Sequence, residues 1–212
     1  MLTGWSVEYV MDQNEKELEL QDTDGAQRKG RELYDWVQAL VYSVLAVVLV
    51  FTFLVRLIGV DGHSMVPTLQ DQDRLLVITS LLDHTYRAGD VVVLRKASFL
   101  PEPIVKRVIA TAGQTVDIDF ATGSVFVDGK LLDEPYINEL TLSEEGTKFP
   151  LTVPQGSVFV MGDNRNHSSD SRDSRLGTVD TRYILGRAVL LLVPGADSVS
   201  GKRDFSRIGW ID

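Results

Sequence analysis

Ile104-Val105-Lys106-Arg107-Val108-Ile109 reads as a β-strand, and the fold class follows from how often that reading repeats along the chain. Five other short runs have the same β-branched, apolar character: Arg74-Leu75-Leu76-Val77-Ile78, Asp90-Val91-Val92-Val93-Leu94, Val125-Phe126-Val127, Val158-Phe159-Val160-Met161 and Ala188-Val189-Leu190-Leu191-Leu192-Val193. Gly, Pro, Asp and Asn separate them, which is how strands rather than helices are punctuated. The pattern predicts a mainly β fold, with one all-β domain over residues 59–212 that is long enough for a substantial core. Asp128-Gly129, between Val125-Phe126-Val127 and Lys130-Leu131-Leu132, predicts a two-residue hairpin because both turn positions need positive φ. That hairpin is expected on an inserted lobe of about residues 117–155.

Within the 104–109 strand, period-two alternation puts Lys106 on one face with Ile104 and Val108, and Val105 with Arg107 on the other. An amine flanked by apolar side chains loses part of its hydration, which lowers its pKa. At the ordinary value near 10.4 about one lysine in a thousand is neutral at pH 7.5, whereas a value near 8 leaves about a quarter neutral. The bland alternative is a strand lysine that snorkels to solvent. A hydroxyl that such an amine could serve lies in Gly62-His63-Ser64-Met65-Val66-Pro67-Thr68-Leu69. Ser64 needs a base to act as a nucleophile, and its sequence neighbour His63 is badly placed to align with it.

Ser64 follows closely on an apolar run, Val37 to Val55, that contains no Asp, Glu, Lys or Arg. Roughly 19 residues at about 1.5 Å each give a helix of about 28 Å, close to the hydrocarbon thickness of a bilayer. A transmembrane helix is therefore expected over residues 37–58. A removable secretory signal would start nearer residue 1 and end at a small-residue cleavage site. Arg28, Lys29 and Arg31 precede the run, against Arg56 alone on the far side. The cation bias thus predicts a single pass with residues 1–36 as a cytoplasmic polar tail and the β domain outside the cell membrane. The acidic residues Glu15, Glu17, Glu19, Asp22 and Asp24 contribute little to that rule. The final apolar stretch, Ala188 to Val193, is too short to span and is expected to be a strand.

A formal net charge of -9 and the lack of a basic stripe argue against nucleic acid as a partner. With no cysteine, the chain has no disulfide, thiolate nucleophile or thiolate-bound zinc, and His63, His84 and His167 lack metal-ligand spacing. Neither a metal nor another cofactor is expected.

Four segments in order now carry a resemblance: Gly62 to Leu69, Arg87-Ala88-Gly89-Asp90-Val91-Val92-Val93, Lys106-Arg107-Val108-Ile109 leading to Gly113, and Gly162-Asp163-Asn164-Arg165-Asn166-His167-Ser168-Ser169-Asp170-Ser171-Arg172. From the apolar run to about Pro194 the chain resembles the bacterial type I signal peptidases, membrane-bound serine endopeptidases with a Ser/Lys dyad. The resemblance implies that Ser64 is the nucleophile and Lys106 its general base. It also implies that Ser168 orients the lysine amine and that Asp170 and Arg172 form a supporting ion pair. Asp173-Ser174-Arg175 repeats the Asp-Ser-Arg motif, and spacing from Gly162 favours the first copy. Met65, Leu69, Ile104 and Val105 are the implied walls of pockets that admit small side chains. The implied substrates are signal peptides of exported preproteins, with membrane lipid and the export translocon as further partners.

Arg107, on the face opposite Lys106, is expected to pair with Asp163. Gly62 stands where some family members carry an oxyanion-binding hydroxyl, which leaves the Ser64 backbone N–H as the expected donor. Ala112-Gly113-Gln114 replaces a Pro-Gly-Asp turn of the family. Two other readings fit less well: a self-cleaving Ser/Lys repressor, for which a DNA-binding helical pair is missing, and an idle anchored β-domain that only binds exported proteins.

Overall fold

The computed structural model describes residues 31–32, 34–81, 85–197 and 201–211. The acidic tail, Arg28, Lys29 and His84 lie outside the described residues. The chain divides between Val50 and Phe51 into two compact units.

Helix α1 (Tyr34–Phe53) is long and apolar enough to cross a membrane, and the protein buries none of its apolar window. Val41, Leu45, Val48 and Phe51 are all exposed. A helix with uncovered apolar side chains all round suits hydrocarbon rather than water. The span expected to reach residue 58 is shorter than that, because α1 ends at Phe53 and Val55–Gly59 forms strand β1. An unbroken apolar run does not distinguish helix from strand, and here the pairing of Val55 with Ile78 and Ile58 with Leu75 decides. Thr79 seals the change, its Oγ1 donating to the Phe53 carbonyl at 2.8 Å and its N–H to that of Leu54 at 3.0 Å.

The second unit is built on a curled antiparallel sheet of eight strands. Its order is β1, β2 (Arg74–Thr79), β11 (Ile184–Val193), β3 (Val91–Leu94), β4 (Ile104–Thr111), β9 (Ser157–Met161) and β10 (Val179–Asp180), with β12 (Gly209–Trp210) pairing to β11. A smaller sheet has the order β7 (Lys130–Leu131), β6 (Ser124–Val127), β5 (Thr115–Asp119) and β8 (Leu151–Thr152). All six expected strands are present. Strand β5 escaped the sequence reading because Thr115-Val116-Asp117-Ile118-Asp119 buries only Val116 and Ile118, so its apolar residues alternate with carboxylates instead of running together.

The hairpin at Asp128-Gly129 joins β6 to β7, with φ of 52° and 74° at the two turn residues. The small sheet does not have a core of its own. Val116, Ile118 and Val125 pack in one cluster with Ile109, Phe159 and Met161 of the large sheet. The Ala112-Gly113-Gln114 turn links the two sheets: Gly113 sits at φ 86°, and the Gln114 side chain accepts from the Thr111 N–H at 2.9 Å.

Strand β4 is buried from Val105 through Ala110, so both of its faces are covered. Its neighbours are equally constrained. Gly186 of β11 lies between β2 and β3, where a Cβ would collide with the Ile78 carbonyl oxygen and come within 2.8 Å of Val77 Cγ1. Gly186→Ala should destabilise the fold by about 1–3 kcal/mol. Gly209→Ala, with nothing within 4 Å of its Cβ position, should shift stability by less than about 0.5 kcal/mol in the same denaturation assay of the detergent-solubilised chain.

Candidate active site

The loop between β1 and β2 is pinned from beneath by Met65 and Leu69, whose side chains are buried in the core with Leu75, Val77 and Val105. Gly62 enters the loop at φ 95°, a conformation that glycine adopts without a Cβ clash, and its N–H donates to Asp71 Oδ1 at 2.9 Å. With the neighbouring side chain driven inward, Ser64 stays partly exposed at the loop's crest.

Lys106 reaches this crest from β4, with Nζ 2.6 Å from Ser64 Oγ. A charged amine donates across that distance, whereas a neutral one accepts the hydroxyl proton. Only 3% of Lys106 is exposed. Burial pulls the amine down to about 8, opposed by the charges of Asp170, Glu145 and Asp163 and aided by Arg172. The apolar setting read from the strand pattern is present: Val92 opposes Lys106, and Ile104 and Val108 pack with Val92 and Leu94.

Arg107 and Asp163 form the expected pair, with Nε to Oδ1 and Nη2 to Oδ2 both at 2.9 Å and exposures of 1% and 0%. Arg107 Nη1 also donates to the Gly89 carbonyl at 2.9 Å, and its guanidinium lies 4.1 Å from the centre of the Tyr136 ring. Thr68 Oγ1, from the serine loop, donates to Asp163 Oδ2 at 2.6 Å. The next residue holds the loop directly: Asn164 N–H donates to the Ser64 carbonyl and Asn164 Nδ2 to that of His63, both at 3.0 Å. Thr68 and Asn164 lie inside the Gly62–Leu69 and Gly162–Arg172 segments, but contacts across about a hundred residues leave no mark in local spacing.

Ser168 is buried, and its Oγ donates to Asp170 Oδ2 at 2.8 Å. The hydrogen bond expected between Ser168 and the lysine amine is not among those formed by the described residues; the serine is tied to the carboxylate behind the amine instead. Asp170 pairs with Arg172 through Nε at 2.9 Å and also accepts from the Gly162 N–H at 2.9 Å. Gly162 has no room for a side chain, since a Cβ would strike Ser168 Oγ and the Ser64 carbonyl oxygen. The second Asp-Ser-Arg copy also pairs, Asp173 with Arg175 at 2.6 Å, but Arg175 is 75% exposed whereas Arg172 is fully buried. Burial thus also separates the two copies.

Beside Ser64 lies a cavity of about 260 Å³ lined by Met65, Ile104 and Val105 together with Ile58, Val60 and Glu102. Leu69 is absent from that lining and belongs to the core beneath the loop. Two strand edges are open here. Among the described residues, strand β1 pairs only with β2, and β9 pairs with β4 only from Arg107 onward, which leaves residues 104–106 unpaired on that side. An extended peptide has backbone partners on both edges. A larger cleft of about 600 Å³, between Arg87 and Trp210, contains neither Ser64 nor Lys106 and offers no nucleophile with a base.

Asp163→Ala should cost about 3–5 kcal/mol of stability, because it strands the buried Arg107 charge. Thr68→Val removes only the hydroxyl contact and should cost about 1 kcal/mol, so denaturant midpoints of the two variants measure the ion pair against the loop tether.

A family model described as Signal peptidase, peptidase S26 matches residues 33–193. Signal peptidase I of Bacillus licheniformis is 34% identical over 174 residues, covering 78% of this chain and 91% of that protein. The probable signal peptidase I-1 of a Synechocystis strain is 37% identical over 166 residues, covering 74% and 80%. A crystal structure of a signal peptidase I from Enterococcus faecalis V583 is 27% identical with a TM-score of 0.40, over 49% of this chain and 96% of that one. On the extent of the family match and of the Bacillus relative, the chain belongs to the signal peptidase family of S26 serine peptidases.

Proposed function

We propose that this chain is a membrane-anchored endopeptidase that removes N-terminal signal peptides from exported preproteins, cutting after small residues through a Ser64/Lys106 dyad. The observation that carries the reading is the 2.6 Å approach of a buried lysine amine to a partly exposed serine hydroxyl, at the edge of a cavity flanked by open strands. A displaced or blocked Lys106 would have favoured an idle binding domain.

The preprotein lies extended along the open edges of β1 and β4, with the side chains nearest the cut in the cavity. Selection for small side chains there follows from the family resemblance, with Met65, Ile104 and Val105 as the cavity walls. Neutral Lys106 takes the Ser64 proton as Oγ attacks the scissile carbonyl, and the Ser64 backbone N–H faces the oxyanion. The resulting ammonium protonates the leaving amine, which departs as the mature protein and leaves an acyl-Ser64. Lys106, neutral again, deprotonates a water that attacks the ester, and the signal peptide is released with its new carboxyl group. Asp170 and Arg172 act behind the amine, with Asp170 accepting from both the Ser168 hydroxyl and the Gly162 N–H.

Helix α1 sits in the bilayer with its N-terminus in the cytoplasm, following the cation bias around the span, and the catalytic domain is extracytoplasmic. Substrates anchored by their own apolar segments reach the site from the same membrane, which raises their effective concentration near the export translocon.

Ser64→Ala and Lys106→Ala should each lower cleavage of a test preprotein by about 10³-fold or more, with mass spectrometry of the new N-terminus as readout. Cleavage that persists in either variant rejects the dyad. In the unaltered chain the rate should rise with pH as Lys106 loses its proton. With an amine near 8, about a tenth is neutral at pH 7 and about half at pH 8, so an acid limb centred near 8 is expected in the pH–rate profile.

A further inference from the structure

Glu145 has no part in the motifs, yet it lies on the guanidinium that backs the base. Its Oε1 is 3.3 Å from Arg172 Nη2, with the glutamate side chain 20% exposed and the arginine fully buried. The surrounding segment is laced to the Asp170–Ser174 stretch as a strap. Arg172 Nη1 donates to the Ser143 carbonyl at 3.2 Å, Thr147 N–H to that of Arg172 at 2.9 Å, and Thr147 Oγ1 to that of Ser171 at 3.0 Å. Ser174 N–H donates to the Glu145 carbonyl at 3.3 Å, and Gly146 bridges to Asp173. The strap fixes the backbone from which the Glu145 carboxylate reaches Arg172.

We propose that Glu145 is a positioning residue for the base: it completes the charge series Lys106, Asp170, Arg172, Glu145 and so holds in place the field that the lysine amine meets. Without it, Arg172 keeps its full positive charge toward Lys106, moderated by Asp170 alone, and the protonated amine is less favoured. Lys106 is within reach of the charges of Asp170, Glu145, Arg172 and Asp163; Glu145 in turn is within reach of those of Asp170, Arg172, Asp173 and Arg175. Burial and then Asp170 push the Glu145 carboxyl up, and the Arg172 guanidinium opposes them in favour of the carboxylate. The inference rests on the reading of Lys106 as the base.

The test uses the full chain in detergent, with the Lys106 amine titrated by NMR of isotope-labelled lysine alongside the pH–rate profile. An opposite charge within about 4–6 Å moves a pKa by about 1–3 units, and Glu145 acts across Arg172. Its removal should therefore move both the Lys106 midpoint and the acid limb downward by on the order of half a unit. Glu145→Gln and Glu145→Ala each remove the charge, so either decides if the other fails to fold. Glu145→Asp should bring the midpoint back toward that of the unaltered chain. An unmoved Lys106 midpoint overturns the inference, including the case where rate falls at every pH as it would for a purely structural residue. A midpoint that moves while the acid limb stays supports the placement of Glu145 and rejects Lys106 as the base.

Discussion

The buried pair of Arg107 and Asp163 is the constraint on which the rest of the site depends. Two charges taken out of water cost several kcal/mol each, and only close pairing with full hydrogen bonding offsets that cost. Here the guanidinium is held by both Asp163 oxygens and by the Gly89 carbonyl. Because Asp163 also accepts from Thr68, the same ion pair ties β4 to the serine loop. Asn164, one residue further, holds the Ser64 carbonyl. The serine loop is therefore tied to the face of β4 that does not carry Lys106.

Alternation makes this arrangement possible. Adjacent cations on a helix would share a region of surface, whereas on a strand they point to opposite sides. Arg107 enters a fully satisfied ion pair, while Lys106 enters an apolar setting with its carboxylates at one remove. The position of the amine near 8 is a balance between burial, which favours the neutral form, and Asp170, Glu145 and Asp163, which favour the charged one. Loss of Asp170 would tip that balance further toward the neutral amine, but it would also leave Arg172 buried with its main partner gone.

Much of this was legible in the chain. Six strands, the Asp128-Gly129 hairpin and the apolar helix follow from periodicity and turn chemistry, and Arg107 with Asp163 could be paired from the face that Arg107 occupies. Strand β5 was missed because a strand with only one buried face needs just two apolar residues. The end of α1 was misjudged because Val55 to Ile58 is as compatible with a helix as with a strand until β2 is beside it. Leu69 resembled a pocket wall, yet in the tight turn that bonds its N–H to the Met65 carbonyl its side chain is buried in the core.

By itself the sequence determined the period of each element, the sign and place of every charge, and the order of the segments that carry the family resemblance, since these are properties of residues and their neighbours. Tertiary structure alone decided which Asp-Ser-Arg copy is buried, that Ser168 is bonded to Asp170, and that a glutamate outside every motif rests on Arg172. Those outcomes depend on which distant backbones approach and on how much water they exclude, and no local pattern encodes either.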